Sequence, residues 1–465
     1  MSLVKLVDPV PAADLGRVHF IGIGGAGMSG IARILLKRGV PVSGSDARPS
    51  DMLHELRELG AAIHVGHAAS HIKDVDTVVV STAIRDSNPE LGEALRQNLR
   101  VIPRAAALAA VMAGRTGIAV AGTHGKTTTT SMLTVALQKC GEDPSYCVGG
   151  QLVTTGLGAD DGAGDVFVAE ADESDGSFLM LAPRIAVVTN VEADHLDNYG
   201  DPQAVHDSFA RFVERVGSLL VVCADDPGAV ALAPLARARG LRVVTYGESP
   251  DADVRTVGIE PRGLGVEFGV AGHGSVRLVV PGRHNAVNAT AVIAVALELG
   301  LPFAEIREGL SAFTGAKRRF EAKGEAAGVT VFDSYAHHPT ELTADLRAAR
   351  DVVNGDGRVI AVFQPHLYSR TRFFADEFGT ALGLADEVVV LDVYGAREDP
   401  EPGVSGALVA GKVPLPAEQV VYAPDRGAVP GLVAGRARPG DIVLTMGAGD
   451  VTELGPRIVA ELSAR

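Results

Sequence analysis

The chain is 465 residues long, which suits about three domains. Lys and Arg number 42 against 57 Asp and Glu, a net charge of −15 with His neutral, so binding to nucleic acid or to an anionic membrane is not expected. No apolar run reaches the roughly 18 residues that cross a bilayer, and Met1–Asp14 lacks the basic start and apolar core of a signal peptide. Membrane insertion and secretion are therefore not expected. Cys140, Cys147 and Cys223 are odd in number and without metal-ligand spacing, which fits a reduced, cytoplasmic setting.

Short Val- and Ile-rich runs alternate with longer Ala- and Leu-rich stretches of helical period. In chain order the runs are Arg17–Ile23, Thr77–Ser81, Gly117–Ala121, Val166–Glu170, Ile185–Thr189, Leu219–Cys223, Val359–Phe363, Glu387–Leu391 and Asp441–Thr445. Apolar strands interleaved with helices predict an α/β protein of several doubly wound units, each with a parallel sheet covered on both faces. A helix over Pro103–Met112 followed by Ala113-Gly114-Arg115 marks a first boundary near 113. The Gly315-Ala316 step before Lys317-Arg318-Arg319 marks a second near 316. Domains over 1–113, 114–316 and 317–465 follow. Asp251–Val280, rich in Val and Gly, is expected to be an antiparallel insertion in the middle one.

The first run leads into Gly22-Ile23-Gly24-Gly25-Ala26-Gly27, after which Met28 is expected to open a helix. Gly22, Gly24 and Gly27 match G-x-G-x-x-G between strand and helix, and Asp46 follows at the end of the next strand, where an acid binds ribose. Such a loop admits a diphosphate because its backbone approaches closely and a helix N-terminus adds partial positive charge. NAD and a UDP-sugar both satisfy it, and on this motif alone an NAD-dependent dehydrogenase leads.

A second loop, Gly122-Thr123-His124-Gly125-Lys126-Thr127-Thr128, follows the strand Gly117–Ala121. It is shorter than the usual phosphate loop, since Val120 stands six positions before Lys126, but it keeps the working parts. Backbone amides cradle phosphate, Lys126 bridges the β- and γ-phosphates, and the Thr127 hydroxyl suits Mg²⁺. Magnesium also needs carboxylates. The strand Val166–Glu170 ends in Glu170-Ala171-Asp172-Glu173-Ser174-Asp175, and Ile185–Thr189 ends in Asn190-Val191-Glu192-Ala193-Asp194-His195. In a parallel sheet these strand ends face one crevice, so three clusters are predicted to converge on a metal-bound nucleotide.

Together with Pro281–Asn288 (PGRHNAVN), these segments resemble the Mur ligase family, and the similarity runs from about residue 16 to about residue 455. Gly22–Gly30 (GIGGAGMSG), Asp333–Thr340 (DSYAHHPT) and Gln364–Thr371 (QPHLYSRT) are similar to the branch that attaches the first amino acid. The resemblance implies a Rossmann-like N-terminal domain, a central P-loop ATPase-like domain with a mainly parallel sheet, and a Rossmann-like C-terminal domain. It implies an ATP-dependent ligase that joins L-alanine to UDP-N-acetylmuramate through an acyl phosphate, in peptidoglycan precursor synthesis, as a monomer or homodimer. A ligase for recycled murein tripeptide, a dehydrogenase and a non-catalytic nucleotide-binding regulator are the alternatives.

By the same resemblance, Gly22, Gly24, Gly25, Ala26, Gly27, Met28, Ser29, Asp46 and Ser81 hold the UDP-sugar. Gly122, Thr123, His124, Gly125, Lys126, Thr127, Thr128, His284, Asn285, Asn288 and Arg319 hold ATP, and Thr127, Glu170 and His195 bind Mg²⁺. Tyr335, His337, His338, His366 and Arg370 face the muramate and alanine. Catalysis rests on Lys126, Glu170, His195, Arg319 and Asp333. Two departures stand out. Family members commonly have two adjacent aspartates where this chain has Asp333-Ser334, and often a basic residue where it has Leu367.

Overall fold

Three sheets organise the chain in the computed structural model, which describes residues 5–353, 355–396 and 398–465. The first four positions of Met1–Asp14, read above for a leader, lie outside them. By packing, the protein forms two units. The first holds Met1–Thr256, Val270–His273 and Val287–Ala312, and the second holds Val257–Gly269, Gly274–Ala286 and Phe313–Arg465.

In the first unit, β1 (Val18–Ile21), β2 (Val42–Asp46), β3 (Ala62–Val65), β4 (Thr77–Val80) and β5 (Arg100–Pro103) make a wholly parallel sheet in the order β3-β2-β1-β4-β5. The order reverses between β1 and β4, and a crevice opens there at the strands' C-terminal ends. The helix after β1 begins at Ala26, two residues before the expected Met28. Gly25 is its extended N-terminal cap, so the glycine-rich turn is tighter than the motif spacing suggested. The helix Arg104–Met112 is buried from its second residue to its last, as a stretch of Ala, Leu and Val apolar on every side must be.

The second sheet is built from β6 (Thr116–Ala121), β7 (Ser145–Cys147), β8 (Ala159–Asp160), β9 (Val166–Glu170), β10 (Ile185–Val188), β11 (Leu219–Cys223) and β12 (Arg242–Gly247), in the order β12-β11-β10-β6-β9-β7-β8. All pairs are parallel except β7 with β8. Thus β6, which leads into the Lys126 loop, lies between β9 and β10, the strands that end in the two acidic clusters. Strand β13 (Val254–Arg262) opens beside β12, with Val254 opposite Tyr246. It continues through two-residue and three-residue turns into β14 (Gly265–Val270) and β15 (Gly274–Leu278), so Asp251–Val280 is strand and turn rather than helix. Connections this short return the chain antiparallel.

The second unit holds β16 (Glu321–Ala326), β17 (Val329–Ser334), β18 (Val359–Phe363), β19 (Glu387–Val390), β20 (Val420–Tyr422) and β21 (Ile442–Met446), ordered β16-β17-β21-β18-β19-β20. Only β16 runs antiparallel, with an irregular register between Ala322 and Gly324. Neighbouring residues of each central strand serve opposite faces. Phe332, Ala361, Phe363 and Leu444 pack with Leu342, Leu346 and Phe378 on one side. Val331, Ile360, Val362 and Val443 pack with Val433, Leu454 and Ile458 on the other. The two-residue alternation of a strand and helices on both faces explain why these runs are apolar throughout.

Among the described residues no helix is long and apolar enough to cross a membrane. Cys147 and Cys223 are buried and Cys140 is partly so, all as free thiols.

Candidate active site

The crevice between β1 and β4 collects the first group of predicted residues. Gly22 adopts φ +80° and its amide donates to the Ser45 carbonyl, as does that of Ile23. Gly25 caps the helix, so Ala26, Gly27, Met28 and Ser29 form its first turn, where free amides and the helix dipole favour an anion. Ser81 directly follows β4. Asp46 accepts the Gly24 amide at 2.9 Å, so one of its oxygens braces the loop itself. Arg104 was not anticipated. A Cβ built on Gly27 would lie 2.8 Å from its guanidinium, which pairs with Asp172 at 3.2 Å. This cation therefore stands over the helix start, and only the approach of two chain segments distant in sequence reveals it.

The Lys126 loop is fastened by the end of β10. The Thr123 amide donates to the Asn190 carbonyl, and the His124 amide to Asn190 Oδ1 at 2.8 Å. The Thr189 hydroxyl donates to the His124 carbonyl, and His124 Nε2 lies 3.4 Å from Glu192. Gly125, at φ +80°, caps the helix Lys126–Lys139 and comes against the side chain of Asn288. Thr128 lies in that helix's first turn. The threonine run tolerates a helix because Thr130 and Thr134 return their hydroxyls to the Lys126 and Thr130 carbonyls.

Lys126 Nζ donates to the carbonyls of Gly122 (2.7 Å) and Thr123 (3.0 Å) and meets Glu173 at 2.8 Å. Burial by itself would depress the ammonium's pKa, but Glu173, Asp172 and Glu170 outweigh it and hold Lys126 above its usual value. The same burial pushes Glu173 up to about 7 against the pull of Lys126. His195 reaches the same carboxylate, with Nε2 3.7 Å from Glu173. It does so from a left-handed backbone (φ +54°), a conformation a non-glycine residue holds only when its surroundings impose it. Next to them, Thr127 Oγ1 donates to Glu170 Oε1 at 3.1 Å, while Glu170 Oε2 accepts the Gly149 amide at 2.7 Å.

Three adjacent strand ends thus bring Lys126, Thr127, Glu170, Glu173 and His195 together. Glu173 belongs to the quoted acidic cluster, yet nothing in its spacing marks it as the partner of Lys126. A hydroxyl beside a carboxylate, both hard oxygen donors, with an imidazole on the neighbouring Glu173, suits a divalent cation. The donor set fits the metal, and the Lys126 ammonium suits a phosphate.

Most of the other predicted residues lie on the second unit. The helix Arg283–Glu298 begins there with His284 and Asn285 and carries Asn288 in the first unit. Burial lowers the His284 imidazole to about 4, and Asn285 donates to the Pro281 carbonyl at 2.6 Å. Asp333 is fully buried, each oxygen accepting a threonine hydroxyl at 2.7 Å, from Thr445 and Thr452. It braces the end of β17 from within the fold. The next residue but one, Tyr335, lies under the guanidinium groups of Arg318 and Arg319, 4.7 and 5.2 Å from its ring centre. His337 packs 5.2 Å from Tyr335 and 5.9 Å from His366, ring to ring. His338 caps the helix Pro339–Val352, Arg370 is buried in the helix Tyr368–Phe373, and Leu367 adopts φ +68° just before it.

Glycine turns after β1 and β6, with acidic clusters at the ends of the two strands flanking β6, on a frame of three α/β sheets, mark an enzyme that handles phosphate. The family model for the Mur ligase catalytic domain matches residues 17–116, that for the middle domain 120–296, and that for the glutamate ligase domain 318–449. The chain belongs to the Mur ligase family. It is 61% identical to the UDP-N-acetylmuramate–L-alanine ligase of Thermobifida fusca, over 99% of this chain and 100% of that protein. The solved UDP-N-acetylmuramate–alanine ligase of Thermotoga maritima superimposes with a TM-score of 0.80 at 29% identity, covering 96% of this chain and 99% of that one. A murein peptide ligase of Psychrobacter arcticus gives 0.68 at 26% identity, covering 97% and 99%.

Proposed function

We propose that this chain joins L-alanine to the carboxylate of UDP-N-acetylmuramate at the expense of ATP, as a cytoplasmic step of peptidoglycan precursor synthesis. One observation carries the assignment. Lys126 and His195 converge on Glu173 while Thr127 meets Glu170 alongside, in a chain that follows ligases of that name from end to end. Two anions, a carboxylate and a phosphoryl group, must meet in the first step, which demands fixed positive charge. Lys126 stays charged and takes the β- and γ-phosphates in place of Glu173. Thr127, Glu170 and His195 would hold Mg²⁺, which would supply charge neutralisation at the phosphate oxygens.

Gly22, Gly24 to Ser29, Asp46 and Ser81 hold the uridine diphosphate half of the sugar nucleotide. His284, Asn285 and Asn288 receive the adenosine, and Arg319 supports the transferred phosphoryl group. The muramate carboxylate oxygen attacks the γ-phosphorus and ADP leaves. The uncharged amine of L-alanine then attacks the acyl carbon. The C–O bond to phosphate breaks as the C–N bond forms, and the amine gives up a proton. Tyr335, His337, His338, His366 and Arg370 orient the alanine and muramate, while Asp333 supports them from below.

Phosphate release from ATP, measured with UDP-N-acetylmuramate, Mg²⁺ and either L-alanine, glycine, L-serine or the murein tripeptide, tests the assignment. L-Alanine should give the highest kcat/KM. Preference for the tripeptide would move the protein to peptide recycling, and no release with any acceptor would remove it from the ligases.

A further inference from the structure

Asp345 is a buried carboxylate that the assignment above leaves without work. It sits on the helix Pro339–Val352, one turn beyond Glu341. Its Oδ2 accepts the hydroxyl of Ser334, and the same Ser334 oxygen accepts the Ala336 amide at 3.1 Å. Glu341 takes the next amide, that of His337, at 3.0 Å, and lies 3.3 Å from His337 Nδ1 and 3.8 Å from Arg319. One helix therefore grips two consecutive amides of the turn, one directly and one through a serine. Between these grips and β17 stands Tyr335, whose own amide donates to the Arg318 carbonyl at 2.7 Å.

A carboxylate this deep is costly unless it works. Burial pushes its carboxyl up to about 7 even though the Ser334 hydroxyl and Arg319 pull the other way. Folding alone asks only that the Ala336 amide find an acceptor, which the serine oxygen supplies. What Asp345 adds is a fixed hydroxyl rotamer, so that the serine lone pair always faces Ala336. An aspartate at 334 would accept the same amide with its own side chain, the local turn that Asp and Ser both form. Ser334 and Asp345 make that acceptor from two residues.

Resting on the ligase assignment, we propose that Asp345 is a positioning residue for the amino-acid half of the reaction, acting through Ser334 to set the Tyr335–His337 turn. Groups held by one helix to within a few tenths of an ångström place a small substrate, and loss of such outer support typically costs about 10- to 100-fold.

Steady-state kinetics of the full chain test this. Asp345→Ser is expected to raise KM for L-alanine about 10-fold or more while KM for ATP and for UDP-N-acetylmuramate stay within about 2-fold. Ser334→Asp combined with Asp345→Ser returns a carboxylate to the Ala336 amide and should restore the L-alanine KM to within about 3-fold of the parent. Asp345→Leu, which keeps the shape but offers the Ser334 hydroxyl no acceptor, serves if the serine variant does not fold, and should show the same selective rise. Unchanged KM for L-alanine in a folded variant, an equal loss on all three substrates, or a folded double variant without recovery would each overturn the proposal. A parent chain that releases no phosphate with L-alanine would overturn the ligase assignment and this proposal with it, whereas an active parent with unaltered variants overturns only the latter.

Discussion

Lys126 and Glu173 lie 2.8 Å apart, with side chains 14% and 2% exposed, so the cation proposed to take phosphate already has a buried carboxyl partner. Removing one partner of a buried pair leaves the other unmatched. Glu173→Gln should leave Lys126 without that partner in the nucleotide-free protein, and because burial already pushes the carboxyl up to about 7 the urea midpoint should shift little at that pH. A non-hydrolysable ATP analogue with Mg²⁺ should stabilise the variant more than the parent, because phosphate supplies the missing negative charge. Equal stabilisation of both would show that Lys126 does not exchange Glu173 for nucleotide.

Thr127 and Glu170 meet at 3.1 Å at the place assigned to the metal. Glu170→Ala should lower phosphate release about 1000-fold or more at any Mg²⁺ concentration, as loss of a charged group at a phosphoryl-transfer site does. Thr127→Ala should lower it less and raise the Mg²⁺ concentration for half-maximal rate. EDTA should abolish turnover in the parent and excess Mg²⁺ restore it. Normal turnover of Glu170→Ala would remove that residue from the metal site.

Gly122 tests the loop's backbone. It adopts φ +136°, and a Cβ there would lie 2.0 Å from Thr189 Oγ1, the hydroxyl that holds the His124 carbonyl. Gly122→Ala combines a disfavoured dihedral with a collision against a fixed neighbour. It should destabilise the protein by about 2 kcal/mol or more and abolish ATP-dependent phosphate release. UDP-sugar binding, measured by calorimetry, should persist in the folded fraction, because those residues lie on a different sheet.

Glu90 predicts a pH dependence of stability. Its fully buried carboxylate accepts the Ser45 hydroxyl and approaches His19, His67 and His71 at 3.6, 3.3 and 2.6 Å. Burial alone would raise its pKa, but the nearby His19 imidazole and the hydrogen bonds from Ser45 and His71 outweigh burial and hold it at about 2, below an ordinary value of 4.5. A depressed carboxylate stabilises the fold above its unfolded pKa, and that stability drains away as pH falls from about 4.5 to about 2. The gain at pH 6 is on the order of 3 kcal/mol. Glu90→Gln should be less stable than the parent at pH 6 by about that much, and the gap should close near pH 2 to 3. Parallel urea midpoints across that range would refute the assignment.

Much of the site was legible because its chemistry is local. A glycine turn, a lysine at the start of a helix and acids at strand ends are each short segments whose residues act where the chain places them. The Gly22–Gly27 and Gly122–Thr128 loops and the clusters Glu170–Asp175 and Asn190–His195 could be named from spacing, while Glu170 and His195 within them were singled out by the family resemblance. The helix after β1 starts earlier than expected because spacing marks a loop more loosely than its hydrogen bonds do. Partner choice was not legible. Glu173 rather than Glu170 meets Lys126, Asn190 fastens His124, Arg104 stands over Gly27 and Asp345 acts behind Ser334. Each of these pairs joins segments that only strand order or helix packing brings together.

By itself, the sequence determined the alternation of strand and helix, the two loops shaped for phosphate and the charge that would gather at strand ends. These follow from backbone stereochemistry and from apolar residues leaving water, which neighbours along the chain already settle. Tertiary structure alone decided that β6 lies between β9 and β10, and hence which carboxylate faces the lysine and which is left beside Thr127. A contact a few ångströms long depends on how separate segments pack, and that is a property of the whole fold rather than of any stretch of it.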